Sequence, residues 1–228
     1  MDISYILNHL GEEETKAPKS VVPPIFQTSN FSFNTVNELR DALADERNSY
    51  IYTRGNNPTV SILRKKLAAL AQSEDALIFS SGIGAISAAV LSNIQAGDHA
   101  ICIDKPYSWT KKLFAEVLPG FGVETDFVSG VKPEDFEPYR KANTRMIFLE
   151  SPNTFTFEMQ DIPSIARWAR AKQMISLIDN SYAGPYGQPT IPMGIDIELH
   201  SASKYISGHS DLVAGVAIGS KAQLDRIF

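Results

Sequence analysis

The chain has a single cysteine among 228 residues, Cys102, so no intrachain disulfide can form. Such sparing use fits a reducing, cytoplasmic setting. Long apolar runs are missing as well: nothing approaches the roughly 20 consecutive apolar residues of a membrane helix. The polar start Met1-Asp2-Ile3-Ser4 does not read as a signal peptide. There is no basic excess, since 21 Lys and Arg stand against 26 Asp and Glu for a net charge of −5. That balance argues against nucleic acid or an anionic membrane as a partner. The four histidines lack ligand spacing, with no second cysteine and no His-x-x-x-His face, so no metal site is expected. No repeat or low-complexity tract occurs. What remains, 43% hydrophobic and 21% charged, is the balance of a globular protein with one large core.

Short apolar runs alternate with helical patterns along most of the chain. Strands are expected at 76–79, 99–103, 123–128, 145–149, 174–178, 195–199 and 214–218. Helices are expected at 60–70, 83–94, 109–117 and 162–172, and Leu224-Asp225-Arg226-Ile227-Phe228 looks like the start of another. Repeated βα units imply a mostly parallel sheet with right-handed crossovers. The first 48 residues are mixed: a short polar helix, an extended Val21-Val22-Pro23-Pro24 stretch, and a loop carrying Phe31 and Phe33 that packs on something else. Cys102, inside Ala100-Ile101-Cys102-Ile103, reads as a packing residue.

The most informative stretch is Ser201-Ala202-Ser203-Lys204-Tyr205. It follows Ile195-Asp196-Ile197-Glu198-Leu199, whose apolar and acidic alternation suggests a half-buried strand. A lysine at a strand end faces a cleft. Ser201 and Ser203 share parity on an extended backbone, so both hydroxyls can reach one phosphate group beside the amine. The chemistry implied is a Schiff base between Lys204 and a phosphorylated aldehyde cofactor. Taken alone, Lys204 reads as a surface charge, and the cofactor reading needs upstream partners.

Two upstream segments give it partners. Met174-Ile175-Ser176-Leu177-Ile178 reads as a buried parallel strand ending in Asp179, where open α/β sheets bind ligands. Asp179 either caps the turn that follows or pairs with a protonated pyridine nitrogen. Ser80-Ser81-Gly82-Ile83-Gly84 joins a short strand to a helix, and small residues at a helix start leave amides free for an anion. Gly82-Ile83-Gly84 also begins a dinucleotide fingerprint, but Ser87 stands at its third glycine position.

These segments, with Tyr52-Thr53-Arg54, Asn57-Pro58-Thr59, Tyr107, Glu150-Ser151-Pro152 and Ile206-Ser207-Gly208-His209-Ser210-Asp211, resemble the pyridoxal-phosphate enzymes of cysteine and methionine metabolism. That family contains the cystathionine γ-synthases, cystathionine β-lyases and methionine γ-lyases. The match spans nearly all of the chain. It implies an aspartate-aminotransferase-like α/β large domain (fold type I) on a mostly parallel seven-stranded sheet. It also implies an arm at 1–54 that contacts a neighbouring subunit and a cofactor-binding domain at 55–228. The family's carboxy-terminal small domain, which supplies the arginine gripping the substrate carboxylate, is expected to be absent from this chain.

The resemblance assigns roles. Lys204 is similar to the lysine that carries pyridoxal 5'-phosphate, Asp179 to the partner of the pyridine nitrogen, and Tyr107 to the tyrosine stacked on the ring. Gly82 and Ile83 would offer amides, and Ser201 and Ser203 hydroxyls, to the phosphate. Tyr52 and Arg54 resemble the pair that reaches the phosphate of a neighbouring subunit, implying a homodimer as the smallest catalyst and a homotetramer as the assembly. His209 is expected to order the turn after Lys204. Two positions depart from the pattern. Thr154 stands where the family carries the asparagine near the cofactor's phenolic oxygen, with Asn153 one place early, and Ser108 replaces the glycine after Tyr107.

The activity implied is a carbon–sulfur lyase acting on sulfur-containing amino acids, by β- or γ-elimination after Lys204 removes the α-proton. The alternative within the family is a γ-replacement transferase, a cystathionine γ-synthase or an O-acylhomoserine sulfhydrylase. Outside it, Ser201-x-x-Lys204 matches penicillin-recognising acyl enzymes, whose Ser-Asp-Asn and Lys-Thr-Gly motifs are missing. A nicotinamide oxidoreductase is limited by the imperfect glycine fingerprint. A non-catalytic interaction module is the remaining reading.

Overall fold

The computed structural model describes residues 1–12 and 20–228. Residues 13–19 of the expected amino-terminal arm lie outside them. Seven strands form one sheet: β1 (Asp75–Phe79), β2 (His99–Ile103), β3 (Glu124–Val128), β4 (Thr144–Glu150), β5 (Ile175–Asp179), β6 (Ile197–Ser201) and β7 (Gly215–Gly219). Their order is β1-β7-β6-β5-β4-β2-β3. The β6-β5-β4-β2-β3 block is parallel, and β7 runs antiparallel between β6 and β1.

Helices α1 (Ile3–Asn8), α2 (Val36–Ala44), α3 (Pro58–Leu70), α4 (Gly82–Leu91) and α5 (Ser108–Lys112) come first. They are followed by α6 (Leu118–Gly120), α7 (Pro133–Phe136), α8 (Ile162–Ala171), α9 (Gly184–Gly187) and α10 (Lys221–Asp225). Among the described residues no helix is long and apolar enough to cross a membrane.

Side-chain alternation along the strands builds two cores. On β2, Ala100 and Cys102 face α4, while Ile101 and Ile103 face α8. Met146, Phe148, Leu177, Ile197 and Leu199 join the α4 side with Ala85, Ile86, Ala89 and Val90 of α4. Ile147, Leu149 and Ile178 join Ile162, Ile165, Ala166 and Ala169 of α8. A smaller cluster seats Leu67 and Ala68 of α3 on Val216 and Ile218. The same parity carries Glu150, Asp179 and Ser201, the last residues of β4, β5 and β6, onto the α4 face at the carboxyl edge of the sheet.

Strand positions agree with the sequence pattern to within about two residues. Three details differ. The run 195–199 is not half-buried: β6 starts at Ile197, and Glu198 is fully buried among His200, Asn180 and Thr190. The expected helix at 109–117 is α5 followed by a π-helical turn, Leu113–Val117, because Pro119 has no amide for the regular ladder. The last helix does not start at Leu224. It starts at Lys221, where Ser220 and Gln223 form a capping box, and it ends at Asp225.

The amino-terminal segment is tied to its own chain at several points. Lys66 donates to the Leu7 carbonyl (2.9 Å) and to Glu12 (2.6 Å). Asp75 at the start of β1 accepts from both Arg47 and Arg64 at 2.7 Å, and Arg47 also pairs with Asp225. The Phe31 loop packs on 50–52, with its ring 5.6 Å from Tyr50 and its amide on the Ile51 carbonyl.

Candidate active site

A cavity of about 400 Å³ opens at the carboxyl edge of β4, β5 and β6, lined among others by Tyr107, Glu150, Thr154, Asp179, Tyr182 and Lys204. Lys204 sits in the turn after β6, and its Nζ lies 5.3 Å from the centre of the Tyr107 ring. Three residues singled out from the sequence, separated by up to 97 positions, thus meet at one opening. Asp179 is 7% exposed and accepts the Ser181 amide at 2.9 Å, so the turn-capping reading describes one of its oxygens. Its neighbour Asn180 is fully buried and bridges Glu198 (3.1 Å) and the Gln188 carbonyl (2.8 Å). Gln188 in turn donates to the Ser151 carbonyl at 2.7 Å. This chain of buried hydrogen bonds fixes the loops after β4 and β5 relative to each other.

Gly82 begins α4 directly against Ser201. A Cβ on Gly82 would come within 2.7 Å of the Ser201 Cβ, and one on Gly215 within 2.0 Å of the Ser81 carbonyl oxygen. Only bare backbone fits at both positions. Ser81 caps α4 by accepting the Gly84 amide at 3.0 Å. Among the described residues, the amides of Gly82 and Ile83 have no hydrogen-bond partner, as expected for a helix's first turn. Small residues, free amides and the positive end of α4 therefore meet the Ser201 corner, a donor set suited to an anion.

Ser203 behaves differently from the parity argument. The backbone is no longer extended there: residues 202–207 form a turn. The Ser203 hydroxyl accepts the Ala214 amide (3.0 Å) and lies 3.3 Å from the Ala214 carbonyl oxygen, holding the turn to the start of β7. His209 contributes to that turn through its backbone, on the Ser207 hydroxyl, and its side chain is exposed.

Tyr52 and Arg54 do not line this cavity. They lie together on an exposed surface, with the Arg54 guanidinium 5.7 Å from the Tyr52 ring, beside a groove floored by Ile25, Phe26 and Val60.

The sequence reading gave no role to Glu150. Yet it carries the signal that marked Asp179: a carboxylate ending a buried apolar strand. Glu150 is 5% exposed, and it accepts the amides of Tyr107 and Thr154 at 2.7 Å each and the Thr154 hydroxyl. Burial, then the Asp179 charge, pushes its carboxyl up to about 7. Thr154 is thereby occupied with Glu150. Asn153 is buried between the Lys105 carbonyl (3.2 Å) and Gln160 (2.6 Å) and also lines the cavity. Phe157, Tyr182 and Tyr205 form an aromatic row at the mouth, at 5.2 and 5.6 Å. Their exposure gave no sequence signal.

A probable cystathionine gamma-synthase of Herpetosiphon aurantiacus is 38% identical over 95% of this chain and 65% of its own length. An L-methionine gamma-lyase of Treponema denticola is 36% identical over 96% of this chain and 55% of its own. A putative O-acetylhomoserine (thiol)-lyase of Campylobacter jejuni, solved with a pyridoxyl-lysine phosphate residue, superposes with a TM-score of 0.91 at 26% identity. It is matched over 99% of this chain and 55% of that one. The chain thus spans between about half and two thirds of these relatives' lengths. The family model for Cys/Met metabolism PLP-dependent enzymes matches residues 5–227, and the chain belongs to that family.

Proposed function

We propose that this chain is the cofactor-binding part of a pyridoxal-phosphate-dependent carbon–sulfur lyase acting on sulfur-containing amino acids in the cytoplasm. The observation that carries the reading is the meeting of Lys204, Asp179 and Tyr107 at one cavity, next to a helix start with free amides. The residues fit the cofactor: a primary amine for its aldehyde, a buried carboxylate for its ring nitrogen, an aromatic face, and an anion corner at Gly82, Ile83 and Ser201. Ser203 supports that corner from the turn. When bound, the cofactor supplies an electron sink for the pair left on the substrate's α-carbon.

The chain's own groups do the rest. With the cofactor bound, Asp179 would hold a proton at its ring nitrogen, Tyr107 would offer an aromatic face to its ring, and Lys204 would take the substrate's α-proton as general base. Tyr52 and Arg54 serve the phosphate of a neighbouring subunit, because arginine's fork pairs with phosphate oxygens and the two lie away from their own cavity. The assembly is then a homodimer or a pair of them.

A γ-replacement activity is the second reading. It is favoured by the probable cystathionine gamma-synthase among the relatives and by the O-acetylhomoserine (thiol)-lyase among the structures. The test uses the full-length protein with methionine, cystathionine, cysteine and an O-acylated homoserine, each with and without added thiol. Keto acid and ammonia without thiol support the lyase, and a thioether product only with thiol supports the transferase. No product from any of the four defeats both.

A further inference from the structure

Asp179 has a companion. Glu150 ends β4 as Asp179 ends β5, and the two are register partners on neighbouring parallel strands. Both side chains therefore share one face of the sheet, both are buried, and both line the cavity that holds Lys204. Among the described residues Glu150 forms no ion pair; its oxygens are held by the Tyr107 amide and by the amide and hydroxyl of Thr154. These donors fix the position of the carboxyl without neutralising it. Two carboxylates buried side by side are costly to ionise together.

We propose that Glu150 is a second working carboxyl of this site, a proton switch that sets whether the wall beside Asp179 carries one negative charge or two, with Thr154 as its positioning residue. This rests on the reading that the cavity holds pyridoxal phosphate. The charged and titratable groups around Glu150 are Asp179 from β5, Lys204 and Tyr205 from the turn after β6, Tyr107 before α5, and Tyr182 after β5. Cys102 lies behind it on β2, its thiol raised first by burial and then by the Glu150 charge. Burial first, and then the Asp179 charge among these groups, push the Glu150 carboxyl up to about 7. Below that pH the carboxyl is neutral, and Asp179 is the lone anion of the wall. Above it the proton passes to solvent, and the second charge stabilises any cation in the cavity, whether the Lys204 ammonium or a protonated cofactor ring. Thr154 has a use of its own in this scheme: its hydroxyl favours the ionised form, and its valine counterpart would not.

The full-length holoenzyme tests this by two readouts, the visible absorbance of bound cofactor against pH and the infrared C=O band of a protonated carboxyl. Wild type should show a carboxyl band that fades with a midpoint near pH 7 and a cofactor absorbance step at the same pH. Glu150→Gln should lose both the carboxyl band and the cofactor absorbance step near pH 7. Thr154→Val should raise the Glu150 midpoint by about half a pH unit or more, whereas Thr154→Ser leaves it in place. A band that persists in Glu150→Gln overturns the proposal, as does a wild type with no such band at pH 6. If Glu150→Gln fails to fold, the Val and Ser variants decide: equal midpoints overturn the proposal, separated ones support it. Protein that shows the carboxyl titration but never takes up cofactor refutes the reading of the cavity and leaves the switch standing.

Discussion

Glu150 and Asp179 stand side by side at the ends of β4 and β5, two buried carboxyls on one face of the sheet. Their proximity has a consequence for stability as well as for chemistry. The Glu150 carboxyl moves from an ordinary 4.5 to about 7 on folding, so the folded state binds its proton more tightly than the unfolded chain does. Stability from this group is thus present below about pH 4.5 and is lost as the pH rises towards 7. The expected loss is at most about 3 kcal/mol, the size of such a shift for a buried group. Denaturant unfolding of wild type and Glu150→Gln between pH 4.5 and 8 measures it. The variant should give the flatter profile, and parallel profiles would assign the wild-type slope to other groups.

Lys204→Ala should abolish the covalent attachment of cofactor and all turnover while the fold persists, since Lys204 is exposed and sits in a turn. Borohydride reduction followed by mass spectrometry locates the attachment. A reducible linkage surviving in the variant would move the role elsewhere.

Asp179→Asn should still fold, because the amide oxygen can accept the Ser181 amide as the carboxylate does. Activity should fall by about two orders of magnitude or more, appearing in kcat more than in KM, if Asp179 acts on the chemical step. A near-normal kcat would leave Asp179 as a turn residue only.

Arg54 and Lys204 lie at different openings of one chain, so a shared site can be tested by mixing. Inactive Arg54→Ala and Lys204→Ala subunits, allowed to exchange, should regain activity in hybrids, where one of the two sites has both residues. Hybrids that form and stay inactive would contradict the cross-subunit reading.

Asp75 joins Arg47, Arg64 and the Ala76 amide. Burial pushes its carboxyl up, but the Arg64 hydrogen bond, the Ala76 amide and Arg47 together outweigh this and hold it below the ordinary 3.8. Its stabilisation is therefore present above pH 3.8 and lost as the pH falls through the lower folded value. Asp75→Ala leaves the largely buried Arg64 guanidinium without a carboxylate and Arg47 with only Asp225, and should cost about 3–5 kcal/mol, read by denaturant unfolding at neutral pH. A loss under about 1 kcal/mol would mean that solvent screens the cluster as it does a surface pair.

The parts of the site legible in the sequence were those written locally. Asp179 ends an apolar run, Lys204 follows another, and Gly82 opens a helix, so each announces its place within about ten residues. Long-range partners left no such mark. Glu198 looked solvated because it alternates with Ile197 and Leu199. Its burial depends on Asn180 and Thr190, 18 and 8 positions away. Ser203 shared parity with Ser201 only while the backbone stayed extended, and the hydrogen bonds to Ala214 turn it aside. The capture of Thr154 by Glu150 depends on how the loop after β4 folds back, which no periodicity encodes.

The bare contact of Gly82 and Gly215 with the Ser81–Ser201 corner makes the anion corner and the lysine turn a single joint. With no side chain between them, neither can shift without the other, so distance from the free amides to Lys204 is a property of the backbone itself. A methyl group at either glycine would act as a wedge. It would drive α4 away from β6 and part the two halves of the site while leaving every polar side chain in it intact.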